Sequence, residues 1–194
     1  LIALGRNKEA LAVLENALDI NPNSALTLTN KGAALIALGR YDEALRSLDR
    51  ALDIEPRFVR ALSNKIDALI NLNWYDDALI SLNKAISINP DYSPFWINKI
   101  ETLLKSGRNE EALGYSNQIL ANHPEMTEVL KDKGWALSNL GKNQEACDIF
   151  TAVIKKDRKM TEAWYRKGIA LVELEKYEEA LTCFTRVVTT DKKI

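Results

Sequence analysis

The hydrophobic positions along the chain recur at spacings of three, four and seven residues. One such stripe covers residues 25–38 and a second covers residues 41–54, with Gly39 and Arg40 between them. These spacings place apolar side chains on one face of a helix. The pattern therefore predicts two amphipathic helices joined by a short turn, in which Gly39 adopts the left-handed conformation that often ends a helix.

This pair of predicted helices repeats along the whole chain with a period of 34 residues. An alanine that follows an acidic residue marks each copy, at Ala10, Ala44, Ala78, Ala112, Ala146 and Ala180. Prolines with the same period end four of the second helices, because proline cannot continue a helix; they are Pro22, Pro56, Pro90 and Pro124. An uninterrupted period of this length predicts stacked units, each of which covers the apolar face of its neighbour.

Small residues in the repeat predict close approach between helices. The period places the marked alanines and glycines such as Gly32, Gly134 and Gly168 where two helices cross, with large residues such as Leu48 beside them. Ser116 stands where the other copies have a large apolar residue. We therefore expect the copy that contains Ser116 to be the least well packed.

The repeated residues resemble the tetratricopeptide repeat (TPR), a helix-turn-helix unit of 34 residues. In the last copy the residues that carry the resemblance are Trp164, Gly168, Leu171, Ala180 and Phe184. The resemblance extends over the whole chain. This chain departs from the family pattern in one column, where every complete unit has a lysine: Lys31, Lys65, Lys99, Lys133 and Lys167. Because acidic residues lie beside these lysines, the favoured interpretation is that the column forms a solvated face.

The resemblance implies an all-α fold, a right-handed superhelical α-solenoid of antiparallel helix pairs. Residues 1–194 would form a single solenoid. Its units would be a half repeat at residues 1–24 and complete repeats at residues 25–58, 59–92, 93–126, 127–160 and 161–194. Because Leu1 is not a methionine and lies inside a unit, we expect a piece of a longer protein or a processed form.

By the same resemblance, the first helix of each unit lines a concave groove. Asn30, Asn64 and Asn98 recur at one groove position, where a ladder of amides would suit the backbone of an extended peptide. The alternative is that these amides form hydrogen bonds within the solenoid. The other groove residues that we select as partner-binding candidates are Ile97, Glu101, Trp135, Tyr165, Arg166 and Ile169.

Trp135 and Tyr165 are the large aromatic residues among these candidates. Aromatic side chains are frequent anchors at interfaces. The alternative is that the two rings pack against each other and close a gap. The lysines that the family uses in its dicarboxylate clamp are missing from the corresponding positions, so we predict that no such clamp forms.

The charges, the apolar runs and the cysteines bear on nucleic-acid binding, on membrane insertion and on the cellular compartment. Lysine and arginine number 26 against 27 acidic residues, which leaves a net charge of -1 and no basic surplus for nucleic acid. No apolar run approaches the roughly 20 residues that span a bilayer. Cys147 and Cys183 are expected to be free thiols of a reducing compartment, which favours the cytoplasm.

The candidate chemistry for catalysis or metal binding is sparse. His123 is the single histidine, and it has no cysteine or second histidine at metal-ligand spacing. No nucleophile, base and oxyanion site occur together, so the sequence predicts no enzyme, no metal and no cofactor.

The sequence thus predicts a non-catalytic scaffold that binds a partner peptide or helix in its groove. The alternative is self-association through the exposed ends of the solenoid. The first unit lacks most of its inner helix, which would leave Leu11, Leu14 and Leu18 partly uncovered. Exposed apolar patches of this kind are sites of association.

Overall fold

The computed structural model describes residues 5–191, which form eleven α-helices and no strand. The helices are α1 (Asn7–Ile20), α2 (Ala25–Ala37), α3 (Tyr41–Ile54), α4 (Val59–Asn71), α5 (Tyr75–Ile88), α6 (Ser93–Lys105), α7 (Asn109–Asn122), α8 (Thr127–Asn139), α9 (Asn143–Lys156), α10 (Thr161–Glu173) and α11 (Tyr177–Asp191). The predicted all-α class is confirmed. The ends of the first half repeat and of the last repeat, at residues 1–4 and 192–194, lie outside the described residues.

The turn within each helix pair is built in the same way throughout the described chain. Its left-handed residue falls at Gly5, Gly39, Asn73, Gly107, Gly141 and Glu175, which are 34 residues apart. At Gly39 the φ angle is 72°, and the next amide, of Arg40, donates to the Leu35 carbonyl at 2.9 Å. The predicted turn conformation is confirmed, and α3 has the predicted bounds, whereas α2 ends one residue before the predicted end.

Acidic residues in the first turn favour the start of the second helices. At α3, Arg40 donates from Nε to Oε1 of Glu43 at 2.6 Å, and Arg108 and Glu111 make the same contact at the start of α7 at 2.7 Å. The hydrogen bond from Arg40 lowers the pKa of Glu43. Negative charge there is stabilised by the positive end of the helix dipole.

The chain divides into two compact units, residues 1–102 and 103–194, with the division inside α6. In the first unit α1 packs on α2, α2 on α3, α3 on α4 and α4 on α5, and α2 also contacts α4. In the second unit α7 packs on α8, α8 on α9, α9 on α10 and α10 on α11, and α8 also contacts α10. Within α1–α5 and within α7–α11, each helix thus contacts its neighbours in sequence, and the successive first helices α2 and α4, and α8 and α10, also contact each other.

The predicted close approach of helices is confirmed at the small residues. The marked alanines from Ala10 to Ala180 are all buried. A Cβ atom added to Gly32 would lie 2.6 Å from Cγ of Leu48, and one added to Gly134 would lie 2.8 Å from Cε1 of Phe150. Ser116 is buried as well, and its hydroxyl donates to the Ala112 carbonyl at 2.7 Å, so its polar atom is satisfied.

Two lysines of the predicted column contact acidic residues on the preceding second helix. Nζ of Lys31 lies 3.0 Å from Oε1 of Glu15, and Nζ of Lys65 lies 2.6 Å from Oδ1 of Asp49. Both lysine side chains are about three-quarters buried. These two lysines therefore link neighbouring helices through ion pairs whose acidic partners remain half-exposed.

The predicted partial exposure of the apolar face of α1 is confirmed for Leu14 and Leu18 and is wrong for Leu11. Leu11 is buried, and Leu14 and Leu18 are half-buried, because this face of α1 packs on α2. The large apolar residues that α1 exposes are Val13 and Ile20. No described helix is both long and apolar enough to cross a membrane.

Candidate partner-binding surface

Two of the three recurring asparagines are hydrogen-bonded within the first unit. Oδ1 of Asn30 accepts from Nη2 of Arg60 at 2.5 Å. Nδ2 of Asn64 donates to the Thr29 carbonyl at 3.4 Å, which links α4 to α2. These bonds correspond to the alternative that the sequence left open, in which the amides hold the stack together.

The remaining candidates of the first unit lie on α6. Asn98, Ile97 and Glu101 are all half-buried. The Asn98 backbone carbonyl accepts from the hydroxyl of Thr102 at 2.6 Å. These residues present part of their surface to solvent, which is compatible with a contact of limited area.

In the second unit, the candidates Trp135 and Arg166 form a stacked pair. Cζ of Arg166 lies 3.4 Å from the centroid of the Trp135 ring, so the guanidinium covers one face of the indole. A cation over an aromatic face is attracted by the ring quadrupole, by about 0.5–2 kcal/mol. Tyr165 packs instead toward Phe184, with ring centroids 6.0 Å apart and planes at 57°. Trp135 therefore packs against Arg166, and Tyr165 packs against Phe184.

A charged network holds Arg166 in place. Nη2 of Arg166 lies 2.9 Å from Oε1 of Glu162, and the other oxygen of Glu162 lies 3.2 Å from Nζ of Lys131. Nζ of Lys131 also lies 3.2 Å from Glu128 and 3.3 Å from Asp132. Burial raises the pKa of Glu162, but its contacts with Lys131 and Arg166 lower it by more, so the pKa lies below its ordinary value.

Lys131 and Asp132, both on α8, are buried. Buried charges are tolerated only when they are paired, because the cost of removing them from water is several kcal/mol per ion. Neighbouring opposite charges, such as Glu128 with Lys131 and Glu162 with Arg166, were the available sequence signal for this network. The selection of candidates from the sequence missed Glu128, Lys131, Asp132 and Glu162.

Beside this network, α10 exposes a row of apolar side chains. Tyr165, Ile169 and Val172 are 51, 36 and 40% exposed. Their spacings of four and three residues place them on one face of the helix. We call Trp135, Tyr165, Arg166, Ile169 and Val172 the α8–α10 surface. Val172 is a member that the sequence prediction left out.

Metal-ligating groups and thiols are the remaining chemistry to place among the described residues. Among residues 5–191, no three histidine, cysteine or acidic side chains are grouped so as to hold a metal ion. Cys147 and Cys183 are free and buried, and burial raises the pKa of both thiols.

Comparison with known families decides the affiliation. One tetratricopeptide repeat model matches residues 1–65 and 35–96, and a second matches residues 97–157 and 131–192. The chain belongs to the TPR family. TPR proteins are generally non-catalytic scaffolds that bind protein or peptide partners.

Solved TPR structures have the same fold. YrrB, described as a TPR protein with an unusual peptide-binding site, is 22% identical with a TM-score of 0.66 and covers 91% of each chain. MamA from Desulfovibrio magneticus RS-1 is 21% identical with a TM-score of 0.73, covering 87% of this chain and 96% of its own. A TPR protein from Parabacteroides merdae is 19% identical with a TM-score of 0.76, covering 97% of this chain and 73% of its own. The search of curated proteins found no match.

Proposed function

We propose that this TPR protein is a non-catalytic scaffold that binds a peptide or helix of a partner protein in its groove. The observation that carries the proposal is the exposed row of Tyr165, Ile169 and Val172 beside an arginine held in one position. Exposed apolar groups that lie together, with an aromatic residue and an arginine among them, have the composition of an interface.

The geometry of the α8–α10 surface favours an apolar segment that carries a hydrogen-bond acceptor. The three apolar side chains on one face of α10 suit the apolar face of a partner helix or the alternate side chains of an extended peptide. Arg166 is already oriented by Glu162 and Trp135, so less conformational entropy is lost when its remaining N–H groups donate to a partner. Recognition by a dicarboxylate clamp is not part of this proposal.

The candidates of the first unit have a secondary place in the proposal. Asn98, Ile97 and Glu101 are half-buried and would offer contacts of limited area within the first unit. Asn30 and Asn64 would contribute by exchanging the hydrogen bonds that they already make. YrrB, which has a peptide-binding site, shares the fold, and this supports the general mode of action.

The test is capture of partners from a lysate of the source organism, with wild type compared with a Tyr165→Ala/Ile169→Ala variant. The matched control is Leu181→Ala, which removes an exposed apolar side chain from α11 instead of from α10. A captured partner is then titrated by calorimetry against each form. Removal of a central aromatic anchor weakens binding by about tenfold or more.

The proposal is supported if the double variant loses the partner while the control retains it, with circular dichroism showing equal helicity. It fails if the double variant and wild type bind the partner equally.

We further propose the cytoplasm as the location, on the basis of the two free thiols.

Self-association is a second candidate, and the exposed face of α11 favours it. Tyr177, Leu181 and Val188 are exposed on that helix. In α9, the residues 34 positions before Leu181 and Val188 are Cys147 and Ile154, and both are buried in the cluster that includes α10. The same stripe is therefore covered where another helix packs on it.

Analytical ultracentrifugation over a range of concentrations tests this candidate. Self-association through α11 predicts a mass that rises with concentration in wild type and remains monomeric in Leu181→Glu. Tyr165→Ala is the control and would associate as wild type does. A monomer at every concentration, or association that Leu181→Glu leaves intact, would remove this candidate.

A further inference from the structure

The first unit has a surface cavity that none of the sequence candidates for partner binding anticipated. Its volume is about 570 Å³, and it is lined by the loop between α3 and α4, the start of α4, and the loop between α5 and α6. The residues that matter here are Arg57, Phe58, Val59, Arg60 and Tyr92. We call this the Arg57–Arg60 cavity. It shares no residue with the α8–α10 surface.

The charge of this cavity is positive. The residues that line it include two arginines and no aspartate or glutamate. Among the described residues neither arginine forms an ion pair with a carboxylate. Arg60 donates to the amide oxygen of Asn30 at 2.5 Å. That neutral acceptor fixes the position of the guanidinium without cancelling its charge, and it leaves other N–H donors of the group available.

The wall of the cavity is apolar and partly aromatic. Phe58 and Val59 are half-buried, and Tyr92 is exposed. The ring of Tyr92 packs edge to face against Phe95, with centroids 4.8 Å apart and planes at 69°. Because Phe95 is fully buried, this contact ties the Tyr92 ring to the core of the unit. The wall can therefore receive an apolar side chain without reorganising the fold.

The start of α4 makes a smaller favourable contribution to the binding of an anion in the cavity. Phe58 occupies the N-cap and makes no side-chain hydrogen bond, and the first turn of α4 has no acidic residue. By contrast, the N-cap of α2 is Ser24, whose hydroxyl accepts from the Thr27 amide at 3.2 Å. A carboxylate in the cavity would lie near the positive end of the α4 dipole. This contribution is secondary to that of the two arginines.

We propose that the Arg57–Arg60 cavity binds an acidic segment of a protein partner, in which a carboxylate stands next to an aromatic or branched apolar side chain. The arginines would bind the carboxylate through charge-assisted hydrogen bonds, and the apolar neighbour would pack on Phe58, Val59 and Tyr92. A nucleic acid would require a longer row of cations to contact successive phosphates, and the net charge of -1 supplies no such surplus. The cavity is a second site, because it lies in the first unit and the α8–α10 surface lies in the second.

Calorimetry with defined peptides tests the proposal. The probe is an acetylated and amidated peptide with Glu-Phe-Glu between Gly-Ser spacers, titrated into the full chain at low ionic strength. The control peptides contain Gln-Phe-Gln, which removes the charge, and Glu-Ala-Glu, which removes the ring. We expect measurable binding of the first peptide, binding weakened at least about tenfold for either control, and further weakening as salt is added.

Substitutions in the protein then locate the bound peptide. Arg57→Ala and Arg60→Ala are each expected to weaken Glu-Phe-Glu binding by about tenfold, because each removes a charge-assisted contact. The matched control is Arg186→Ala, which removes an exposed arginine from α11 and should leave the affinity within about twofold of wild type, as for a charge outside the site. Circular dichroism confirms that each variant retains its helicity.

The proposal is overturned if Glu-Phe-Glu shows no binding, if Gln-Phe-Gln binds equally well, or if Arg57→Ala and Arg60→Ala retain wild-type affinity. The Tyr165→Ala/Ile169→Ala variant keeps this test separate from that of the α8–α10 surface. It should bind Glu-Phe-Glu as wild type does, and loss of the peptide in that variant would place the binding site elsewhere and overturn the assignment.

Discussion

Gly134→Ala and Gly114→Ala make the same chemical change and are expected to have opposite effects on stability. Both glycines lie inside helices of the second unit, Gly134 in α8 and Gly114 in α7. A Cβ atom at Gly134 would lie 2.8 and 2.9 Å from two ring carbons of Phe150, whereas one at Gly114 would meet nothing within 4 Å. The comparison therefore isolates helix packing from helix propensity.

The magnitudes follow from two opposing terms. Alanine in place of a helical glycine is favourable by about 0.5–1 kcal/mol, because glycine loses more backbone entropy on folding. Overpacking of a core costs about 1–3 kcal/mol, and Phe150 is fully buried, so its ring has little room to move away. We expect Gly134→Ala to lower the free energy of unfolding by about 0.5–2 kcal/mol and Gly114→Ala to raise it by about 0.5–1 kcal/mol.

Urea unfolding monitored by circular dichroism measures both effects. With an m-value of about 2–3 kcal/mol/M, the two midpoints should differ by about 0.3–1.5 M and lie on opposite sides of the wild-type midpoint. Tryptophan fluorescence should give the same midpoints, which guards against stepwise unfolding of a repeat array.

A double substitution checks that the contact with Phe150 is the cause. Phe150→Leu shortens the side chain that the new methyl group meets, so Gly134→Ala/Phe150→Leu should lose less stability than the sum of the two single variants. The packing explanation is refuted if Gly134→Ala is as stable as Gly114→Ala, or if the double variant is simply additive.

Three further predictions follow from single groups. Glu175 has a φ of 60°, so Glu175→Gly should raise the free energy of unfolding by about 0.5–1 kcal/mol. Asn73→Gly should give a smaller gain, because asparagine tolerates the left-handed region better than glutamate does. Urea unfolding of both variants and wild type measures these changes. The pKa of Glu162 is lower in the folded protein than in the unfolded chain. Its contribution to the free energy of unfolding is therefore present above about pH 5 and is lost as the pH falls through the folded-state pKa. Glu162→Gln should therefore destabilise by about 1 kcal/mol or less at neutral pH, and the difference in thermal midpoint from wild type should vanish in acid. Burial raises the pKa of Cys147 and Cys183, so both should react slowly with a thiol-specific disulfide reagent until urea unfolds the chain, and fast reaction of the native protein would contradict their burial.

The sequence alone determined the helices and the turns between them. The period of apolar positions is a local property, so α3 falls at its predicted bounds and Gly39 has the predicted left-handed conformation. The 34-residue register also identified which alanines are buried, because every copy repeats the same face in the same packing environment. The family followed from the same residues.

The chemistry of the candidate sites was decided by the tertiary structure. Stacking of Arg166 on Trp135, pairing of Glu162 with Lys131, and the hydrogen bond from Arg60 to Asn30 all join residues about 30 positions apart or on different helices. The period of the sequence predicts which side chains share a helix face. The side-chain rotamers and the spacing between helices determine which atoms are in contact. For the same reason the Arg57–Arg60 cavity has no signature in the repeat, because the start of α4 and residues of two loops that are distant in sequence line it together.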